Sequence, residues 1–291
     1  MANLRCLANL AQLRTRAGLA SSDTGDDGKL LAKLRTATAG IERHTAREIV
    51  PYVGARSFDW IDASHVRFGE YSLLKYTSLV DGTGTTAIPS GLILEGGASS
   101  GYADLTGPYS GIRINIALGG FLAYATIRER ALTVTGVWGW HDDYANAWRP
   151  SNNTLTAAIT DTVSVSITVS NAAGADGWGV SPALSVGDMI QIDSEWMFVV
   201  VITSNALTVV RGVQGSAAAT HSNSASIQVY TPPSDLNDIC LRWASFLFAQ
   251  DTTDYGQRVF APFGGAPGIK IPSGIPPDIY EALESYRNVR V

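Results

Sequence analysis

The sequence predicts an α+β protein in which a helical unit built from both chain ends encloses inserted β domains. Three observations carry this. Apolar residues recur at helical spacing near the two ends, at Leu30, Leu31, Leu34, Ala37 and Ile41 and again at Leu236, Ile239, Cys240, Trp243, Phe246 and Leu247. Between them the period changes to two, as where Ile112, Ile114, Ile116 and Leu118 alternate with Arg113, Asn115 and Ala117. The chain has 291 residues, room for two or three structural units at roughly 150 residues each.

Residues 1–48 read as an N-terminal helical part. Leu4, Leu7, Leu10 and Leu13 form the stripe of a first helix, which Gly18, Ser21, Ser22 and Gly25 break. The second runs through Asp26 to Arg47, with Lys29, Lys33, Arg35, Glu42 and Arg43 largely off its stripe. Asp26 or Asp27 is expected to cap its start, His44 and Arg47 suit its negative end, and Pro51 stops it. Two such helices cannot make a stable domain alone and need a partner.

Residues 49–150 read as a β domain. Asp81-Gly82-Thr83-Gly84 lies between two strand-like runs within Leu73 to Ile88 and predicts a hairpin. Leu132, Val134 and Trp138 share a face with Gly136, against Thr133 and Thr135. Residues 151–231 read as an inserted β module. There Val163, Val165, Ile167 and Val169 alternate with Ser and Thr and specify a buried face. Asp193-Ser194 and Ser204-Asn205 are expected to turn successive strands.

Residues 232–291 are expected to complete the helical unit. Pro232-Pro233-Ser234 ends the module and caps a helix. Residues 251–275 are rich in Gly and Pro and read as an extended arm bearing Tyr255, Phe260, Phe263, Ile269 and Ile271. A short closing helix follows Pro276-Pro277-Asp278, with Ile279, Leu283 and Tyr286 on one side.

Composition narrows the function. A formal charge of −5 and a pI near 5.3 argue against a protein whose main task is neutralising phosphates. Charged residues make up only 16%, which often accompanies surfaces that end up against other subunits. No run of about 18 apolar residues predicts a membrane span. Arg5, Arg14 and Arg16 interrupt the N-terminal apolar residues, unlike a signal peptide, so the protein is expected to stay soluble in the cell that makes it. Cys6 and Cys240 form no local thiol motif and neither demand nor exclude a disulfide; a reduced, cytosolic place of synthesis is expected.

Ile41-Glu42 followed by Thr45-Ala46-Arg47, after Asp26-Asp27-Gly28-Lys29-Leu30-Leu31-Ala32-Lys33-Leu34, resembles the N-terminal part of the head-to-tail connector (neck adaptor) family of long-tailed double-stranded DNA bacteriophages. Ala46 stands where that family often has Gly. Val134-Thr135-Gly136-Val137-Trp138-Gly139-Trp140 resembles the strand that leads there towards the closing helix, and Leu283-Glu284-Ser285-Tyr286-Arg287 resembles the Leu-x-x-Tyr-Arg with which such chains often close. The series from Gly187 to Glu195, then Leu207 to Gly212 and His221, resembles a small β module that recurs in phage structural proteins. The resemblance implies a structural virion protein of the neck, made in the host cytoplasm, with neither catalytic residues nor cofactor. Its partners would be the portal protein, neighbouring copies in a dodecameric ring, and a downstream neck or tail protein. DNA would pass through the channel without specific binding, and no membrane is involved. Tyr255, Phe260, Phe263, Ile269 and Ile271 would then form the portal or subunit interface.

Other chemistry is weaker. Gly97-Ala98-Ser99-Ser100-Gly101 fits a nucleophile elbow, but the next residues make a poor helix. His141 with Asp142 and Asp143 has no second histidine at ligand spacing and reads as hydrogen-bonded beside packed tryptophans. Asp193 and Glu195 could pair as acid and base, but flanking a turn they read as solvated. Trp138, Trp140 and Trp148 read as core packing. If exposed they would instead serve the alternative, a tail-tip or fibre protein binding a host receptor or glycan. A cell-wall hydrolase would need a carboxylate pair that the sequence does not place.

Overall fold

The computed structural model describes residues 4–20, 22–84, 92–96, 108–114, 122–124, 126–252 and 275–288. Helices from both chain ends pack on one another: α1 (Leu10–Ala17), α2 (Asp27–Thr45), α3 (Ser234–Thr252) and α4 (Pro277–Glu284). Their shared core buries Leu13, Leu30, Leu34, Ile41, Leu236, Cys240 and Leu283. Cys6 and Cys240 both lie in it as free thiols.

The helix starts differ from expectation. Leu4 and Leu7 precede α1, because Asn9 forms a capping box with Gln12 and so begins the helix at Leu10. Leu7 is buried all the same, its N–H donating to Thr38 Oγ1 of α2 at 3.0 Å. The Asp26 carboxylate does not cap α2; it accepts from Lys29 Nζ at 2.8 Å, while Asp27 accepts from Arg14 Nε at 2.9 Å. In both cases a basic side chain competes with the free amides and wins. Ser234 lies inside α3, not before it.

At the other end of α2, Ala46 adopts the left-handed conformation with φ 51°, its N–H donating to Glu42 O. A methyl-bearing residue pays about 1 kcal/mol or more there, against which glycine loses unfolded-state entropy. Ala46→Gly should therefore raise stability by roughly 0.5–1 kcal/mol. Thermal unfolding checks this, and an unchanged or lowered midpoint would refute it.

The first sheet is antiparallel: β1 (Tyr52–Phe58), β2 (His65–Arg67), β3 (Leu73–Val80), β4 (Leu92–Gly96), β5 (Tyr109–Ile114) and β6 (Leu132–Trp138). The order is β1-β6-β3-β5-β2, with β4 also on β5. Leu132, Val134 and Trp138 face its core with Phe58, Phe68 and Ile112. Asp81 does form the expected turn, accepting from Thr83 N at 3.0 Å. Asp81 also accepts from Ala123 N, Gly82 bridges Tyr124, and β3 pairs with β6 and β5. Residues 85–88, with Ile116 and Leu118, lie outside the described residues.

The second sheet contains β7 (Trp148–Thr154), β8 (Ser166–Thr168), β9 (Met189–Ile192), β10 (Glu195–Thr203), β11 (Ala206–Val210) and β12 (Ser226–Tyr230), in the order β7-β12-β9-β10-β11-β8. Residues just beyond β7 pair back onto β8, through Leu155 with Val169 and Thr156 N to Thr168 O, so the sheet closes as a small barrel. Ile167, Ile190, Ile192, Met197, Val199, Leu207 and Ile227 fill it. The two expected turns are present, with Asp193 at φ 52° and Ser204 at φ 56°.

One expectation fails in this barrel. Of the four alternating residues, Ile167 and Val169 are buried, but Val163 is 79% and Val165 52% exposed. The Asp161 carboxylate captures the Val163 and Ser164 amides at 2.9 and 2.6 Å, so the chain leaves the ladder at Val163, although Val165 O still accepts from Val209 N at 2.8 Å.

Candidate assembly site

The three segments that carry the family resemblance meet at one junction. α2 ends beside it, β6 runs into it, and the segment after α4 closes it. Arg47 Nε donates to Tyr286 O at 2.7 Å, and the Arg47 guanidinium lies 5.7 Å from the Trp140 ring centre. Trp140 and Tyr286 meet edge to face at 5.4 Å. Burial lowers the Arg47 pKa from its very high ordinary value. Asn288 N donates to Thr45 O at 2.8 Å, and His44 lies 3.2 Å from Glu284. Glu42 is the other organiser: its Oε1 accepts from Ile49 N and Val50 N at 3.0 and 3.2 Å, and its Oε2 meets Arg5. Tyr286 donates its hydroxyl to Asp235 Oδ2 at 2.8 Å. Burial, then the Asp235 bond and charge, push the phenol up to about 12, so it remains a donor.

A second polar seam joins α1 to the barrel. Leu10 N donates to Val186 O, Asn9 Nδ2 to Asp188 Oδ1 at 2.9 Å, and Ser185 N to Asp188 Oδ2 at 2.7 Å. A cavity of about 210 Å³ adjoins it, lined among others by Cys6, Arg149, Tyr230 and Asn237. Burial pushes the Asp188 carboxyl up to about 6, opposed by the two amides and by Arg149. With the folded pKa above the unfolded one, the native state holds the extra proton between about pH 4 and 6. Stability from this group is thus present below pH 4 and lost as pH rises through 6, by about 1.4 kcal/mol per unit at most. Wild type and Asp188→Asn, compared in denaturant titrations from pH 4 to 7, should diverge with that slope; parallel curves would refute the assignment.

Tyr255, Phe260, Phe263, Ile269 and Ile271, and the Gly97 to Gly101 loop, lie outside the described residues. His141 is buried, accepting at Nδ1 from Asp143 N at 2.9 Å, with Nε2 2.9 Å from Thr231 O. Its ring neighbours are Tyr144 and Tyr230, not the tryptophans. Trp138 is fully buried with Nε1 on Gly54 O, and Trp148 packs on Trp196 and Tyr230.

Glu195 is a correction: it is fully buried, not solvated. Its oxygens accept Arg211 Nε and Nη2, both at 2.6 Å, with the Gly212 and Ala219 amides, and His221 Nε2 lies at 2.8 Å. Burial pushes this carboxyl up, but Arg211, the Ala219 amide and His221 outweigh it and hold it below the usual range. Asp193 stays largely exposed, its Oδ2 2.7 Å from His221 Nδ1. The sequence reading also missed the buried Arg149–Asp176 pair. For Glu195 a signal existed, since it falls in an almost wholly apolar strand with Arg211 just past the end of the next one; for Asp176 none did.

No family model matches the chain, and no curated protein matches it. Among solved structures, the neck of an empty GTA particle, computed with C6 symmetry, is 13% identical over 97% of this chain and 89% of that one, with a TM-score of 0.30. That likeness is too low to show a shared fold.

Proposed function

We propose that this chain is a structural virion protein, a head-to-tail connector subunit that forms a ring between the portal and the neck or tail of a phage. The observation that carries the reading is the Arg47–Trp140–Tyr286 junction. Three motifs far apart in sequence, which resemble one family in the same order, close on one another and hold both ends of the chain together. The ring would be dodecameric, with copies joined by heterologous contacts that close. Portal and downstream neck or tail protein would lie on its two faces, and the acidic balance suits a channel that DNA passes without being gripped. No enzymatic step is assigned to the chain.

Of the tryptophan cluster that the receptor-binding alternative would expose, Trp138 is fully buried, and Trp140 and Trp148 are half-buried against the helical core. Electron microscopy of particles from a phage lacking the protein tests the proposal. Filled or leaking heads lying apart from complete tails are the expected result. Intact particles that fail to adsorb to cells would sink it.

A further inference from the structure

Two exposed apolar surfaces on the barrel are each built on a buried carboxylate–arginine pair. The first is a groove. Asp176, buried and paired with Arg149, accepts from Trp178 N and Val180 N, both at 2.8 Å, and so fixes a loop whose Trp178 is 57% and Val180 52% exposed. Together with Ala11, Thr15 and Arg16 of α1 and Leu241 of α3, that loop lines a groove of about 550 Å³. The second is a knob. Val163, the most exposed large apolar side chain among the described residues, stands on the turn held by Asp161. Arg211 Nη1, anchored on buried Glu195, reaches back to Ser164 O at 3.2 Å and holds that turn against the barrel.

We infer that the Val163–Val165 knob of one copy seats in the Trp178 groove of the next, joining copies head to tail. The inference rests on the connector reading and names the contact between neighbours in its ring. Both surfaces are fixed in place before they meet, which lowers the ordering cost of association. They are also unlike, and unlike surfaces give a heterologous contact, the kind that closes into rings. Charge agrees: Arg16 lines the groove, with only Nη1 engaged among the described residues, on Asp238 at 2.7 Å. Asp161 carries the opposite charge at the base of the knob.

The test uses the full chain and sedimentation velocity over a range of concentrations. Wild type should associate beyond the dimer. Val163→Asp spoils only the knob and Trp178→Ser only the groove; both side chains are mostly exposed, and circular dichroism should show each variant folded. Each variant alone should associate at least tenfold more weakly. An equimolar mixture keeps one good knob and one good groove, so it should form pairs that stop at two chains. A wild type that stays monomeric, variants that associate as wild type does, or a mixture that stays monomeric would each overturn the inference. Loss with Trp178→Ser but not Val163→Asp would also overturn it, by showing a different occupant of the groove. These outcomes are separable from the connector reading: particles that join heads to tails without the protein would sink that reading whatever the sedimentation shows.

Discussion

Arg211→Ala should destabilise the barrel by about 3–5 kcal/mol, the usual result of stripping one partner from a buried ion pair. Arg211 gives two 2.6 Å bonds to Glu195 and also reaches Ser164 O, so one guanidinium ties β10, β11 and the Asp161 turn together. Removing it leaves the Glu195 carboxylate buried with two backbone amides and His221 for company. Glu195→Gln should cost less, because it removes the charge along with the pairing. Because the Glu195 carboxyl is held below its usual range, its contribution is present at neutral pH and lost on acidification, opposite in sign to that of Asp188. Denaturant unfolding of both single variants and the double checks this. If the two single costs simply add, the residues do not act as one unit.

Gly40→Ala should cost about 1–3 kcal/mol, although alanine is the better helix former by about 1 kcal/mol. A Cβ at Gly40 would stand 2.3 Å from Trp243 Cη2 and 2.8 Å from Cζ3, well inside contact distance. Trp243 is 7% exposed and packed between α2 and α3, so the ring cannot swing into solvent. The methyl therefore pushes the two chain ends apart. Trp243→Leu alone opens a cavity and should destabilise too, yet it makes room for the methyl. The double variant should thus be more stable than the sum of the single losses predicts, as a double-mutant cycle by thermal unfolding would measure. A simple sum, or a Gly40→Ala that gains stability, would show that the indole is not the obstacle.

What was legible in the sequence follows from what a local pattern can encode. The 3.6-residue stripe of Leu30, Leu34, Ala37 and Ile41 and that of Leu236, Ile239, Cys240 and Trp243 needed no tertiary partner to be read, and these are buried as expected, while Leu31, Phe246 and Leu247 of the same stripes are only half-buried. The same holds for the two-residue turns at Asp193 and Ser204, and for the alternation that buries Leu132 and Val134. Even so, the local patterns erred where one polar side chain outcompeted the period. Asn9 moved the start of α1, Lys29 took the Asp26 carboxylate from its cap, and Asp161 turned Val163 out of the barrel.

Only the tertiary structure decided which distant residues meet. Arg47 and Tyr286 are 239 positions apart, Glu195 and His221 are 26 apart, and Gly40 faces Trp243 across the joined chain ends. Periodicity tells a residue which way to face but not what stands opposite. A carboxylate such as Glu195 therefore reads as solvated in the sequence, and Asp176 gives no signal at all, until a guanidinium from another segment offsets the cost of its burial.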